Sequence, residues 1–158
     1  MIISIASGKG GTGKTTVALL MALSNPNAAV LDCDVEEPNC HLFLLPTWEE
    51  EQPIEIMIPQ LNKEKCTGCG RCSEVCLFNA IAVGSNKALL FDELCHSCGG
   101  CLLVCPNEAW TESRKEIGKV RQGRAIDVVP GARLISGMLN IGVPNAAPLI
   151  KANIYLEL

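Results

Sequence analysis

Aromatic side chains make up only 4% of this 158-residue chain, so aliphatic residues must fill whatever core it buries. Long apolar runs are missing too. The longest, Val17 to Leu23, is far too short to cross a bilayer. There is no surplus of positive charge. A net charge of -4 gives no general electrostatic reason to bind nucleic acid or an anionic membrane. Met1-Ile2-Ile3-Ser4-Ile5 runs straight into a Gly-rich loop with neither a basic n-region nor a cleavage site, so a secretory leader is not expected. Against these shortages stand 48% hydrophobic residues and ten cysteines. The first suits one ordinary folded domain, or a smaller one with a module inserted in it. Eight of the cysteines fall in two repeats of one metal-ligand spacing, so they read as metal thiolates rather than disulfides. A reducing cytoplasm is the expected compartment.

Along the chain, residues 2–7 read as a short buried strand and 8–15 as a Gly-rich loop. Thr15 to Ser24 reads as a helix apolar on most sides and therefore buried, stopped by Asn25-Pro26-Asn27. Ala28 to Leu31 reads as a second buried strand ending at Asp32. That succession is a βαβ unit and implies a parallel sheet. Residues 35–62 read as connection, rich in Pro and Glu, with room for a short strand from Ile54 to Ile58. Residues 63–112 hold the patterned cysteines as an internal repeat. Residues 113–124 are polar, basic and extended, and Ile126 to Val129 reads as another short strand. Gly137, Gly142, Pro144 and Pro148 then punctuate the way to an apolar tail. The expected organisation is 1–60 as the first part of a nucleotide-binding domain, 61–112 as an insert, and 113–158 as the return to the first domain.

Gly8-Lys9-Gly10-Gly11-Thr12-Gly13-Lys14-Thr15 matches the phosphate-loop pattern G-x4-G-K-T, and it has the required strand before and helix after. Glycines let backbone N–H groups turn inward around phosphate oxygens. The following helix aims its positive end at the same anion. Lys14 would neutralise the β- and γ-phosphates, and the Thr15 hydroxyl would ligate Mg²⁺. Gly8, Gly10, Gly11, Thr12, Gly13, Lys14, Thr15 and Thr16 are thus the nucleotide-binding candidates.

Cys66-x2-Cys69-x2-Cys72-x3-Cys76 and Cys95-x2-Cys98-x2-Cys101-x3-Cys105-Pro106 are two complete four-cysteine runs. Zinc is the alternative for paired C-x2-C motifs, but two full runs favour 4Fe-4S clusters. The spacing resembles that of bacterial two-cluster ferredoxins, with Leu77 rather than Pro after Cys76. In that family the fourth cysteine of each run ligates the other cluster. The resemblance implies Cys66, Cys69, Cys72 and Cys105 on one cluster, and Cys95, Cys98, Cys101 and Cys76 on the other. Gly68, Gly70, Gly99 and Gly100 would let the backbone approach the sulfides.

Other residues read as structural. Cys33 and Cys40 are expected to be buried thiols. His96 is a loop histidine between cluster ligands, and His41, Trp48 and Trp110 are packing or surface residues. Arg114, Lys115, Lys119, Arg121 and Arg124 form a solvated strand face.

Lys9 together with Lys14 resembles the variant phosphate loop of the MinD/ParA ATPases. There the first lysine reaches across a nucleotide-sandwich dimer. Leu31-Asp32-Cys33-Asp34 resembles that family's switch I, which implies that Asp34 orients the attacking water, with Asp32 as acidic support. Asp127-Val128-Val129-Pro130-Gly131 departs from the family's switch II at Val129. Taken whole, the chain resembles MinD-superfamily (Mrp-like) P-loop ATPases with an inserted ferredoxin domain, shortened at the C-terminal end. The fold class this implies is α/β: a partial parallel-sheet P-loop domain holding an α+β two-cluster ferredoxin module. The implied cofactors are two 4Fe-4S clusters, ATP and Mg. The implied partners are a protein redox partner and a second copy across the P-loop face. The expected function is nucleotide-dependent electron transfer. The alternatives are a simple electron carrier with an inactive P-loop half and an iron–sulfur scaffold.

Overall fold

The computed structural model describes residues 1–156 and divides into two compact units. Unit 1 comprises Met1–Ile54, Gly118–Asn140 and the segment from Ala146; unit 2 comprises Glu55–Ile117 and Ile141–Asn145. In chain order the elements are α1 (Lys14–Leu23), β1 (Ala29–Asp32), α2 (His41–Leu44), β2 (Thr47–Leu61), α3 (Arg71–Val75), β3 (Ile81–Gly84), β4 (Lys87–Leu90), α4 (Gly100–Val104), β5 (Trp110–Arg124), β6 (Arg133–Leu139) and α5 (Ala147–Tyr155).

Unit 1 is built on a sheet of order β1-β6-β5-β2. β1 pairs in parallel with β6, Ala29 opposite Arg133 and Asp32 opposite Ser136. β6 pairs antiparallel with β5 from Gly118↔Leu139 to Arg124↔Arg133. The sheet is therefore mixed, not the parallel sheet expected. Its central strand is also the most buried: Leu134, Ile135 and Ser136 are fully enclosed. Leu19 and Ala22 of α1 and Val30 of β1 share a core with Cys40, Leu44, Val129 and Leu134. Gly137 is needed for close approach, since a Cβ there would lie 2.8 Å from Val35 Cγ1.

Four expectations need correction. First, residues 2–7 form no strand, and Met1, Ile2 and Ile3 are exposed. No strand among the described residues pairs with them, and an extended segment without a partner leaves its N–H and C=O groups to water. The expected βαβ unit thus lacks its first strand. Second, α1 buries one narrow face: Val17, Leu20 and Leu23 are exposed. Third, Ile126–Val129 is the turn joining β5 to β6, closed by Val129 N–H donating to Ala125 O at 3.1 Å. Fourth, β2 runs fifteen residues where connection was expected. Pro53 and Pro59 disguised it, and its edge position in the sheet is where proline is tolerated.

Unit 2 holds the hairpin β3–β4, paired from Ile81↔Leu90 to Gly84↔Lys87. Its two-residue turn, Ser85-Asn86, has φ of 50° and 60°, the positive pair that suits the twist of a tight hairpin. α3 packs on α4. Cys72, Ile81, Ala88, Cys101 and Trp110 form the core here. Among the described residues no helix is long and apolar enough to cross a membrane.

Candidate metal centre

Each half of unit 2 presents two cysteines on a loop and a third in the one-turn helix that the loop turns into. The turn needs glycine: Gly70 precedes α3 at φ 84° and Gly99 precedes α4 at φ 74°, both left-handed. The last cysteine of each run follows the helix. The chain then turns through Asn79 (φ 52°) in one half and Glu108 (φ 46°) in the other. Four residues after the first run ends, the Ala80 N–H donates to Cys76 Sγ at 3.3 Å; Ala109 does the same to Cys105, also at 3.3 Å.

The fold gathers the eight cysteines into two crossed sets. Cys66, Cys69, Cys72 and Cys105 line one cavity with Gly68 and Trp110. Cys76, Cys95, Cys98 and Cys101 line a second with Phe78 and His96. All ten cysteines of the chain are free thiols. Among the described residues no three Cys, His, Asp or Glu side chains close on a point where one metal ion could sit.

The donor chemistry fits an iron–sulfur group. Burial pushes the Cys72 and Cys95 thiols up, and that of Cys101 to about 11. A bare thiolate is disfavoured in both cavities, and bound iron would supply the missing positive charge. On Cys72, burial is opposed by hydrogen bonds, the first of them from the Trp110 side chain. Trp110 was expected to be packing or surface; it is 5% exposed and faces the first sulfur set. Aligning the two halves of the repeat would have flagged it, because it falls five residues after Cys105 as Ile81 does after Cys76. His96 is exposed and stacks on Phe78 with ring centroids 3.7 Å apart.

The phosphate-loop residues lie in unit 1. Gly8 to Thr12 are exposed, and Gly13, Lys14 and Thr15 are half-buried at the start of α1. Gly13 caps the helix at φ 88°. A Cβ on Gly8, Gly10, Gly11 or Gly13 would meet nothing within 4 Å, so these glycines border open space. Lys14 Nζ donates to Ser7 Oγ at 3.3 Å, and Thr12 Oγ1 donates to the same oxygen at 2.7 Å. Asp34 is exposed beyond β1, its N–H resting on Asp32 Oδ1 at 3.2 Å. The Asp32 carboxylate is buried and accepts from the N–H groups of Asn39 (3.0 Å) and Cys40 (2.9 Å).

Two other expectations divide. Cys40 is buried, but Cys33 is exposed because the chain leaves the sheet immediately after Asp32. The basic stretch is a paired strand face. Arg114 meets Glu55 at 3.8 Å, Lys115 meets Asp92 at 3.4 Å, Lys119 meets Glu51 at 2.7 Å and Arg124 meets Glu49 at 3.2 Å. Arg121 lies over the Trp48 ring at 4.4 Å.

A family model described as a 4Fe-4S dicluster domain matches residues 65–110. Ferredoxin-1 of Chlorobaculum tepidum is 39% identical over 51 residues, which are 28% of this chain and 82% of that protein. Through this segment the chain belongs to the 4Fe-4S dicluster ferredoxins. A component of the Na(+)-translocating ferredoxin:NAD(+) oxidoreductase complex of Acetobacterium woodii is 43% identical over 47 residues, 29% of this chain and 14% of that component. An uncharacterized protein of Methanocaldococcus jannaschii is 29% identical over 160 residues, 95% of this chain and 54% of its own length. The chain thus spans about half the length of that relative. Iron–sulfur electron transfer of the ferredoxin type is the activity these likenesses support.

Proposed function

We propose that this is a nucleotide-dependent electron-transfer protein, with Cys66, Cys69, Cys72 and Cys105 holding one 4Fe-4S cluster and Cys76, Cys95, Cys98 and Cys101 the other. The observation that carries the cluster half is the crossed gathering of the eight cysteines around two cavities. The clusters supply one-electron redox chemistry when bound. The chain's own part is to hold them with buried sulfurs and to aim N–H groups at Cys76 and Cys105.

The nucleotide half rests on the loop 8–16. Its glycines border open space, Gly13, Lys14 and Thr15 are half-buried at the start of α1, and Lys14 is held by a single side-chain oxygen. Backbone N–H groups of Gly8, Gly10, Gly11, Thr12 and Gly13 would cradle the phosphates, with Lys14 on the outer pair. Thr15 would ligate Mg and Thr16 would contact the phosphates. Lys9 would reach a second copy, and Asp34 would orient water. β2 and β5 have residues in both units, so a change at the loop has a covalent route toward the clusters. The partners are then MgATP, a second copy across the loop face and a protein that exchanges electrons. The cytoplasm is the compartment that such thiols and ATP require.

The test is MgATP binding by calorimetry on cluster-loaded, anaerobic protein, followed by cluster potentials with and without nucleotide. Micromolar binding with a nucleotide-dependent potential is expected, and Lys14→Ala should remove both. A nucleotide effect that survives Lys14→Ala would refute the loop's role. The absence of a paired strand at residues 2–7 favours a second reading, a plain ferredoxin carrier on an inactive scaffold. That reading predicts intact clusters and no nucleotide response.

A further inference from the structure

The two halves of the cysteine repeat are alike in backbone and unlike at one buried side chain. Both turn through glycine into the short helix, and both donate an alanine N–H to the last sulfur at 3.3 Å. One residue beyond that alanine stands Ile81 in the first half and Trp110 in the second. Ile81 lines the cavity of Cys95, Cys98 and Cys101 and offers it only methyl groups. Trp110 lines the cavity of Cys66, Cys69 and Cys72 and packs with Cys72 in the buried core, where its indole N–H is a donor that Ile81 lacks. Hydrogen bonds to cluster sulfurs favour the more negative, reduced state and raise the potential.

Two charges lean the same way. Lys87 Nζ donates to the carbonyl oxygens of Cys66 (2.6 Å) and Lys63 (2.8 Å), which sets an ammonium beside the first set. Asp92 lies near Cys95 of the second, partly offset by Lys115 at 3.4 Å. Lys87 is exposed and Asp92 half-buried, so solvent weakens both effects. Trp110 is enclosed and is not screened in this way.

We infer that Trp110 makes the two clusters unequal, so that a single electron rests on the cluster held by Cys66, Cys69, Cys72 and Cys105. The inference rests on the ligand sets proposed above and is independent of nucleotide. The exchange would be one electron: the cluster that Cys95, Cys98, Cys101 and Cys76 would hold would be oxidised as its neighbour is reduced. No bond or proton moves. The cluster beside Ile81 would then be the lower-potential one, and would give its electron to the other.

The experiment is a potentiometric titration of the cluster-loaded protein with dithionite, read by electron paramagnetic resonance, in wild type and Trp110→Phe. Phenylalanine keeps an apolar ring and removes the donor. The higher potential should fall by about tenfold in the reduced-to-oxidised ratio, about 59 mV for a one-electron couple, while the lower one stays. Unchanged potentials, or an equal fall in both, would overturn the proposal; an equal fall is what a merely structural role gives. Should Trp110→Phe not hold its clusters, the native Trp110 decides. With indole-¹⁵N tryptophan in a Trp48→Phe background, the first electron added should show a ¹⁵N coupling. A first-electron spectrum without that coupling would overturn the proposal.

Discussion

Gly68 and Gly70 flank Cys69, and both have left-handed backbones, φ 70° and 84°. They differ in what a side chain would meet. A Cβ on Gly70 would find nothing nearer than Glu74 Oε1 at 4.0 Å. A Cβ on Gly68 would lie 2.4 Å from the backbone C of Asn86, 2.5 Å from its O and 2.6 Å from its Cα. Gly70→Ala therefore carries only the left-handed penalty, about 1–2 kcal/mol. Gly68→Ala carries that penalty and an overlap with backbone. Asn86 cannot move away cheaply, because it is one of the two positive-φ residues of the β3–β4 turn. Lys87, next in the chain, ties that turn to Lys63 and Cys66. Overpacking of this kind adds about 1–3 kcal/mol. A difference of about 2 kcal/mol between the variants corresponds to about thirtyfold in the local opening equilibrium. The assay is the rate of bleaching of the cluster absorbance by an iron chelator under anaerobic conditions. Gly68→Ala should bleach at least tenfold faster than Gly70→Ala, with half the iron lost first. Equal rates for the two would refute the claim that the loop at Cys69 is seated on the hairpin backbone.

Three further outcomes follow from unit 1 and the cysteine sets. Asp32→Ala removes the acceptor for the N–H groups of Asp34, Asn39 and Cys40, and should lower urea stability by about 2–4 kcal/mol. Trp48 fluorescence reads it, since Trp48 packs against that core; a loss under about 0.5 kcal/mol would contradict it. Burial, followed by the charge of Asp32, pushes the Cys40 thiol from its ordinary 9.0 up to about 12. The unfolded chain gives up this proton near 9 and the folded chain keeps it, so this stabilisation is complete below pH 9. It is lost by about 1.4 kcal/mol per pH unit as pH rises toward 12. Cys40→Ala should flatten that component in urea titrations between pH 8.5 and 10, on the order of the slope just given; an unchanged slope would refute it. Cys105→Ala should disturb the cluster of Cys66, Cys69 and Cys72 while sparing the one at Cys95; loss confined to the latter would reverse the proposed sets.

Much of unit 2 was legible because cysteine spacing is a short-range constraint. Glycine is needed where the turn into each helix goes left-handed, as at Gly70 and Gly99, and the sequence shows both. Unit 1 was legible only in part. Helix α1 and strand β1 fell within a residue or so of expectation, since local apolar pattern sets both. The sheet did not follow, because pairing is non-local. β1 takes its parallel partner from residues 133–136, and nothing near residue 29 announces it. β2 was hidden by Pro53 and Pro59, which exclude a central strand but not an edge one. Residues 2–7 carry a strand-like composition, and composition cannot supply a neighbour.

The candidate site shows the same division one level down. What the two halves share could be read directly: four thiolates each, glycines at the turns, and an alanine four residues after the last cysteine. Among their buried side chains, what separates them is a single change of type, Ile81 against Trp110, and by hydropathy both are core residues. Their difference is chemical, one indole N–H, and it becomes functional only because the fold encloses that side chain beside Cys72. A repeat that binds two identical clusters has no reason of its own to send an electron one way. Direction requires a broken symmetry. In this chain the buried side chain that breaks it lies at the first residue of β5, a strand that runs from the sulfur-lined cavity into residues of unit 1.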